Sequence, residues 1–311
     1  MNRTREPVKW YAAVLLICAG SLSELPCGAQ QLSPRFYWPS PRGTKVAVTG
    51  YSHASGDVLM DPSIPIYGAD SRINTVFFAH MQNFSLLGRT ANFLVELPYS
   101  WGITKGTVIN TMAERKLSGF NDMGITLAVN LLGAPSMDLA GFRQLRNSPR
   151  VLLGTSIKVQ LPTGQYMTDR LINVGGNRWA FKPELGALIP LFQKFLIEFE
   201  LGAWFFTKDK DYIPGTRKQQ PILSGEIHLV KRFRPGLWAS LEGNYFWGGR
   251  QQIGENRLGD LQRNSKIGGT VAVPFGRRHS FKVGYSIGVV TAYGTDFNQF
   301  LATYTLLLNK L

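Results

Sequence analysis

One pattern constrains this chain more than any other: beyond residue 43, apolar and polar residues alternate one by one in segments about ten residues long. A period of two puts successive side chains on opposite faces of a strand, so each segment has one face for oil and one for polar surroundings. The clearest segment is Ala91–Trp101, where Phe93, Val95, Leu97, Tyr99 and Trp101 alternate with Asn92, Leu94, Glu96, Pro98 and Ser100. The pattern recurs over Gly124–Leu131, Leu153–Leu161, Arg178–Ile189, Phe195–Gly202, Leu223–Leu229, Leu237–Tyr245, Lys266–Val273 and Phe281–Ile287. Weaker versions cover Thr44–Tyr51, Asn74–Leu86 and Phe300–Lys310, giving 12 strands in all. No run of 18 apolar residues follows the first thirty, so membrane-spanning helices are excluded.

The connections alternate in length. Leu87–Arg89, Leu191–Lys194, Phe233–Gly236 and Phe275–Arg278 are tight, while Ser52–Ile73, Gly102–Ser118, Thr163–Asn177, Lys208–Lys218 and Gly249–Arg263 are long. Short turns at one end and long loops at the other predict a transmembrane antiparallel up-and-down β-barrel, with the short turns in the periplasm. The exception is Gly133–Pro149, periplasmic by parity yet long. Leu139, Phe142 and Leu145 there share a face at helical spacing and predict a short helix capping the barrel, a reading preferred to a moving gate. A soluble β-sandwich is the rival all-β fold. Against it, the polar faces carry Gly, Ser, Thr and mixed charges, and Tyr99, Trp101, Trp179, Tyr245 and Trp247 cluster at strand ends on one rim, as rings do in a headgroup zone.

The first residues read as a leader. Arg3, Arg5 and Lys9 precede an apolar run from Trp10 to Leu22, and Cys27-Gly28-Ala29 fits a small-residue cleavage site. The expected organisation is a signal peptide over 1–29, an N-terminal lead-in over 30–43 and an outer-membrane barrel over 44–311. Lipidation at Cys27 is disfavoured by Glu24 and Pro26. Cys18 and Cys27 are the only cysteines, so cleavage leaves no thiol for a disulfide, a metal or a nucleophile. The net charge is +14, of which the leader contributes one, through Arg3, Arg5 and Lys9 against Glu6 and Glu24. The basic residues scatter over loops, among them Arg115, Lys208, Arg217, Arg250 and Arg277, and an exported protein has no nucleic acid to meet. The expected partners are outer-membrane lipid and lipopolysaccharide, the barrel-assembly machinery and a small-molecule solute.

Phase assigns the inward residues. Glu96, Glu184, Glu198, Glu200, Glu226 and Glu242 face inward with Lys158, Arg178, Lys182, Arg232, Lys266 and Lys282. Opposite charges are expected to pair across strands, either as a brace or as a lining that sorts solutes. The balance of acids and bases speaks against a strong ion preference. Trp204, Phe206, Trp238 and Phe246 also point inward, as stacking surfaces or as space-filling groups. No catalytic residue, metal ligand or cofactor is expected: the one Gly-x-Ser-x-Gly match, Gly284 to Gly288, overlaps the alternating segment Phe281–Ile287 and makes no strand-to-helix elbow, and His-Glu-x-x-His is missing from the sequence. His228 shares a face with Ser224 and Glu226, which period two alone produces.

Four runs carry a family resemblance: Leu161-Pro162-Thr163-Gly164-Gln165-Tyr166, the stretch from Asn173 to Gly186 around Asn177-Arg178-Trp179, Pro235-Gly236-Leu237-Trp238-Ala239-Ser240 and Gly248-Gly249-Arg250. From about Val46 onward the chain resembles the outer-membrane transporter-like family named for the meta-pathway of phenol degradation. The resemblance implies a barrel and a transport role, with no catalytic residues to carry over. One departure concerns the C-terminus: many such barrels end in an aromatic residue, whereas this chain ends in Leu311. The sequence therefore favours a passive route for small, aromatic or hydrophobic solutes. The alternatives are a closed structural or adhesive barrel and a membrane-embedded hydrolase.

Overall fold

The computed structural model describes residues 34–61, 66–108, 110–168, 173–192, 194–212 and 215–309. The leader, its cleavage site and Leu311 lie outside the described residues. The strands are β1 (Lys45–Leu59), β2 (Ile66–Leu86), β3 (Arg89–Val108), β4 (Thr111–Phe120), β5 (Gly124–Leu132), β6 (Leu152–Gln160), β7 (Ala180–Leu191) and β8 (Phe195–Phe206). There follow β9 (Arg217–Gln219), β10 (Ile222–Arg234), β11 (Leu237–Gly248), β12 (Gln251–Ile253), β13 (Asn256–Arg257), β14 (Gln262–Phe275), β15 (His279–Val290) and β16 (Gly294–Leu307). One helix, α1 (Leu139–Asn147), joins β5 to β6.

The large sheet closes on itself. β1 pairs with both β2 and β16, and β2 pairs with β3. Every ladder is antiparallel, and closure leaves no open edge for lipid to meet. β4 and β5 are two pieces of one stave: residues 99–108 of β3 pair with β4, and residues 91–96 pair with β5. The barrel thus has 12 staves, and each contains one of the segments read from the alternation. β9, β12 and β13 form a small separate sheet among the long loops.

The inside–outside phase follows the sequence reading. Phe93, Leu97, Leu185, Leu201, Leu241, Val271 and Phe281 are exposed on the outer wall. A belt of such residues is stable only in lipid, where no water has to be ordered around them. Trp101, Trp179, Tyr245 and Trp247 are exposed at one rim, and Leu87, Phe192, Phe233 and Phe275 at the short-turn rim.

Two expected loops are partly strand. β2 and β3 run 21 and 20 residues, about twice the ~10 residues a bilayer needs, and they project with β4 past the long-loop rim. Much of Ser52–Ile73 and Gly102–Ser118 is therefore sheet. Inward hydroxyls stitch the projection together: Ser71 meets Thr104, and Thr75 meets Ser100, each at 2.7 Å. Outside the bilayer the outer faces meet water instead of lipid, so no apolar alternation marks these extensions in the sequence.

The short-turn end is filled from within. α1 begins at Asp138, whose carboxylate accepts from the Gly141 N–H at 2.8 Å, a stabilising cap. Its Leu145 is buried against Leu152, Leu188, Leu196, Val230 and Trp238 of the wall, with Trp38 packed alongside. The Arg232 guanidinium donates to the Arg146 carbonyl at 2.7 Å. The helix is thus a cap docked to the barrel.

Candidate functional site

The segment from Pro34 to Thr44 runs inside the barrel. Its anchor is Tyr37, only 4% exposed. Two cross-strand pairs build its slot: Gly154 opposite Gly186, and Ser156 opposite Glu184, both between β6 and β7. The missing side chains of the glycine pair make room for the ring. A Cβ at Gly186 would lie 2.1 Å from Tyr37 Cε2, and one at Gly154 would lie 2.3 Å from Cδ1. The Tyr37 hydroxyl donates to Ser156 Oγ (3.1 Å) or Glu184 Oε1 (3.0 Å). Asn130 donates to the Tyr37 carbonyl at 2.9 Å, and the Arg35 N–H donates to Glu198 at 2.6 Å. Arg35 also sits over the rings of Trp38 (4.9 Å) and Trp238 (5.3 Å).

Beyond this plug lies a cavity of about 480 Å³. Of the inward residues read from phase, Glu96, Lys158, Lys182, Glu184, Glu200, Trp204, Glu226, Trp238 and Lys282 line it. Lys158 pairs with Glu96 at 2.8 Å, across the intervening β5. Lys182 pairs with Glu184 at 2.6 Å and with Glu226 at 3.5 Å. Phe36, Trp38, Phe77, Trp204 and Trp238 give the same cavity ring surfaces. The result is a mixed chamber: aromatic panels beside carboxylate–ammonium pairs whose charges are held by each other.

The remaining inward residues sit around this chamber. Glu198 is held by the plug, as described. Glu242 accepts from Ser240 and is buried. Lys266 is buried on β14, where its backbone N–H donates to Asn244 at 3.0 Å. Arg178 is buried nearer the long-loop mouth, where it donates to Gln219 and lies 4.3 Å from the Phe206 ring. There Trp204 and Phe206 stack and pack with Ala180, Ile222 and Phe246.

The sequence runs behind the family resemblance fold a loop. Asp122 accepts from the N–H groups of Gly164 and Gly176, both at 2.8 Å, drawing Leu161–Tyr166 against Asn173–Asn177. Gly164 and Gly175 touch so closely that a Cβ on either would strike the other's backbone. Asp209 accepts from the Tyr166 hydroxyl and from Asn177, each at 2.9 Å, and pairs with fully buried Arg217 at 3.4 Å. Burial first, and then the Asp209 carboxylate, push the Tyr166 phenol well above its ordinary pKa. Val174 and Leu258 from separate loops pack with Ile66, Ala69 and Leu117 on the projecting strands. The loops therefore lean inward over the mouth.

Sequence reasoning placed the inward wall residues, because period two encodes them directly. It missed Tyr37 and the plug. Residues 34–44 have no periodicity, and the one signal for them is the pairing of Gly154 with Gly186 across two strands.

An apolar belt, a closed antiparallel wall, an enclosed chamber and one long-loop end define a transmembrane β-barrel of the outer-membrane kind. Residues 56–302 match the family described as "Putative MetA-pathway of phenol degradation", and the chain belongs to that family. Among solved structures it resembles the COG4313 outer membrane channel from Pseudomonas putida F1, with a TM-score of 0.74, 17% identity, and 89% of this chain and 100% of that one covered. Weaker likeness, with a TM-score of 0.49 and 10% identity over 99% of this chain and 100% of the other, links it to the transport unit of the autotransporter AIDA-I from Escherichia coli. No curated protein matches the sequence. The barrel fold places the chain in a bacterial outer membrane.

Proposed function

We propose that this chain is a passive outer-membrane channel for small solutes that are uncharged or aromatic. The observation that carries the proposal is the chamber of about 480 Å³, which combines tryptophan faces with charges already paired to one another. A drug-sized or smaller ring fits such a volume, and rings stack on Trp204 and Trp238 without demanding a counter-ion. Self-paired charges give the wall no excess of either sign to select ions. The family assignment supports the same solute class through its name, which refers to phenol degradation.

The plug of residues 34–44 sets the bore at the periplasmic end, so transit requires Tyr37 to leave its slot. Export uses the leader of residues 1–29, cleaved after Ala29. Assembly engages the barrel-assembly machinery, and the basic loops face lipopolysaccharide.

The test is reconstitution of the purified protein in lipopolysaccharide-containing liposomes. An uncharged aromatic glycoside should enter faster than into empty liposomes, and planar bilayers should show little cation-over-anion preference. Strong selectivity for one ion sign would contradict the paired-charge argument. Uptake equal to that of empty liposomes would favour the closed structural barrel.

A further inference from the structure

The charges of the chamber balance over the whole wall but not locally. On one patch, Glu184, Glu200 and Glu226 surround the single ammonium of Lys182, which is already held by Glu184 at 2.6 Å and Glu226 at 3.5 Å. Two of the three carboxylates therefore lack a full counter-charge. Glu200 and Glu226 stand directly opposite each other on β8 and β10. His228 is two residues along β10 from Glu226 on the same inward face, opposite Glu198 on β8 and Glu242 on β11.

These three residues converge. One ligand atom from each of Glu200, Glu226 and His228 lies within 4.8 Å of the other two. His228 Nε2 is 3.7 Å from Glu226 Oε2. His228 is 0% exposed, and neither ring nitrogen has a hydrogen-bond partner among the described residues. Glu200 Oε1 and Glu226 Oε2 are also buried and without hydrogen-bond partners among the described residues. A buried polar atom left without a partner costs roughly 1–3 kcal/mol, and three donor atoms, one from each residue, gathered within 4.8 Å call for an occupant.

We propose that Glu200, Glu226 and His228 form a binding site for a divalent transition cation of the zinc class. The donor set selects the class: one imidazole nitrogen with two carboxylate oxygens suits zinc and its neighbours, whereas calcium and magnesium take all-oxygen shells. Bond lengths of about 2.0–2.2 Å require the donors to close up by roughly an ångström, which side-chain rotation supplies. A double charge also matches the local deficit. The two glutamates line the chamber, so an open coordination position would face the cavity and a solute oxygen could occupy it. Lys182 keeps the other oxygen of Glu226, as in metal sites whose carboxylate ligands are oriented by a second hydrogen bond. The site escaped sequence reading because its ligands come from two strands, with no local metal motif. It stands whether or not solutes pass through the barrel.

The test uses the full chain without an affinity tag of histidines, stripped with a chelator and titrated calorimetrically with Zn²⁺. One Zn²⁺ per chain should bind, and Mg²⁺ should not compete. His228→Gln and Glu200→Gln should each weaken binding at least tenfold, whereas His53→Gln and His279→Gln should leave it unchanged. Binding that is lacking in the wild type, or equally tight in His228→Gln, would overturn the proposal. Where a variant fails to assemble by heat-modifiable mobility, zinc-soaked wild-type crystals decide. An anomalous peak between Glu200, Glu226 and His228 supports the site, and no peak there refutes it.

Discussion

Gly186→Ala should open the plug without unfolding the barrel. The added Cβ would sit 2.1 Å from Tyr37 Cε2, where carbon atoms normally keep about 3.5–4.0 Å. The ring must then lift by about 1.5 Å. That stretches the hydroxyl contacts to Ser156 and Glu184, now 3.1 and 3.0 Å, beyond hydrogen-bonding range. Losing these contacts and part of the packing costs about 1–3 kcal/mol, which shifts the docked–undocked balance about 5- to 150-fold. Ala180 to Leu191 keeps its ladder, because the backbone at Gly186 is ordinary strand with no positive φ. Single-channel conductance in planar bilayers is the assay: the open fraction should rise, and Tyr37→Ala should raise it similarly. The double variant should equal Tyr37→Ala alone, since the clash needs the ring. Conductance of Gly186→Ala equal to wild type, with heat-modifiable mobility intact, would refute the slot as the point of closure.

Other expectations follow from the same geometry. Leu241→Arg, on the exposed outer wall at mid-strand, should destabilise the assembled barrel by about 2–4 kcal/mol, whereas Asn92→Arg on the chamber side should cost far less; urea titration of the folded form in liposomes reads the difference. Asp209→Ala takes the carboxylate from the buried guanidinium of Arg217 and removes an acceptor for Tyr166 and Asn177, a loss of about 3–5 kcal/mol to the loop structure. Limited proteolysis should then cut near residues 166–177, while the barrel stays assembled. Leu145→Asp places a charge in the cluster that holds α1 and should release the cap, detectable as hydrogen exchange over 139–147 with the strands still protected.

The legible part of this fold is the part the bilayer dictates. Leu201 and Leu241 must meet lipid while Glu200 and Glu242 face inward, and that contrast is written residue by residue. The projecting halves of β2 and β3 turn their outer faces to water instead of lipid and bury Ser71 against Thr104 on the inner face, so no lipid-facing alternation marks them. Arg178 was readable as inward, but its perch over Phe206 was not, because phase gives direction and not depth. Tyr37 was unreadable for a different reason: its slot is made by what Gly154 and Gly186 lack. His228 was visible on its face, yet its convergence with Glu200 depends on the register between β8 and β10.

The most direct test of the channel reading is liposome swelling with size-matched solutes, one an uncharged aromatic glycoside and one an aliphatic glycoside, each compared between wild type and Trp204→Ala/Trp238→Ala. Two ring faces in the chamber predict faster entry of the aromatic member through the wild type, and a ratio near one in the double variant. Equal rates for both solutes in the wild type, or an aromatic preference that survives loss of both tryptophans, would contradict a route lined by those rings.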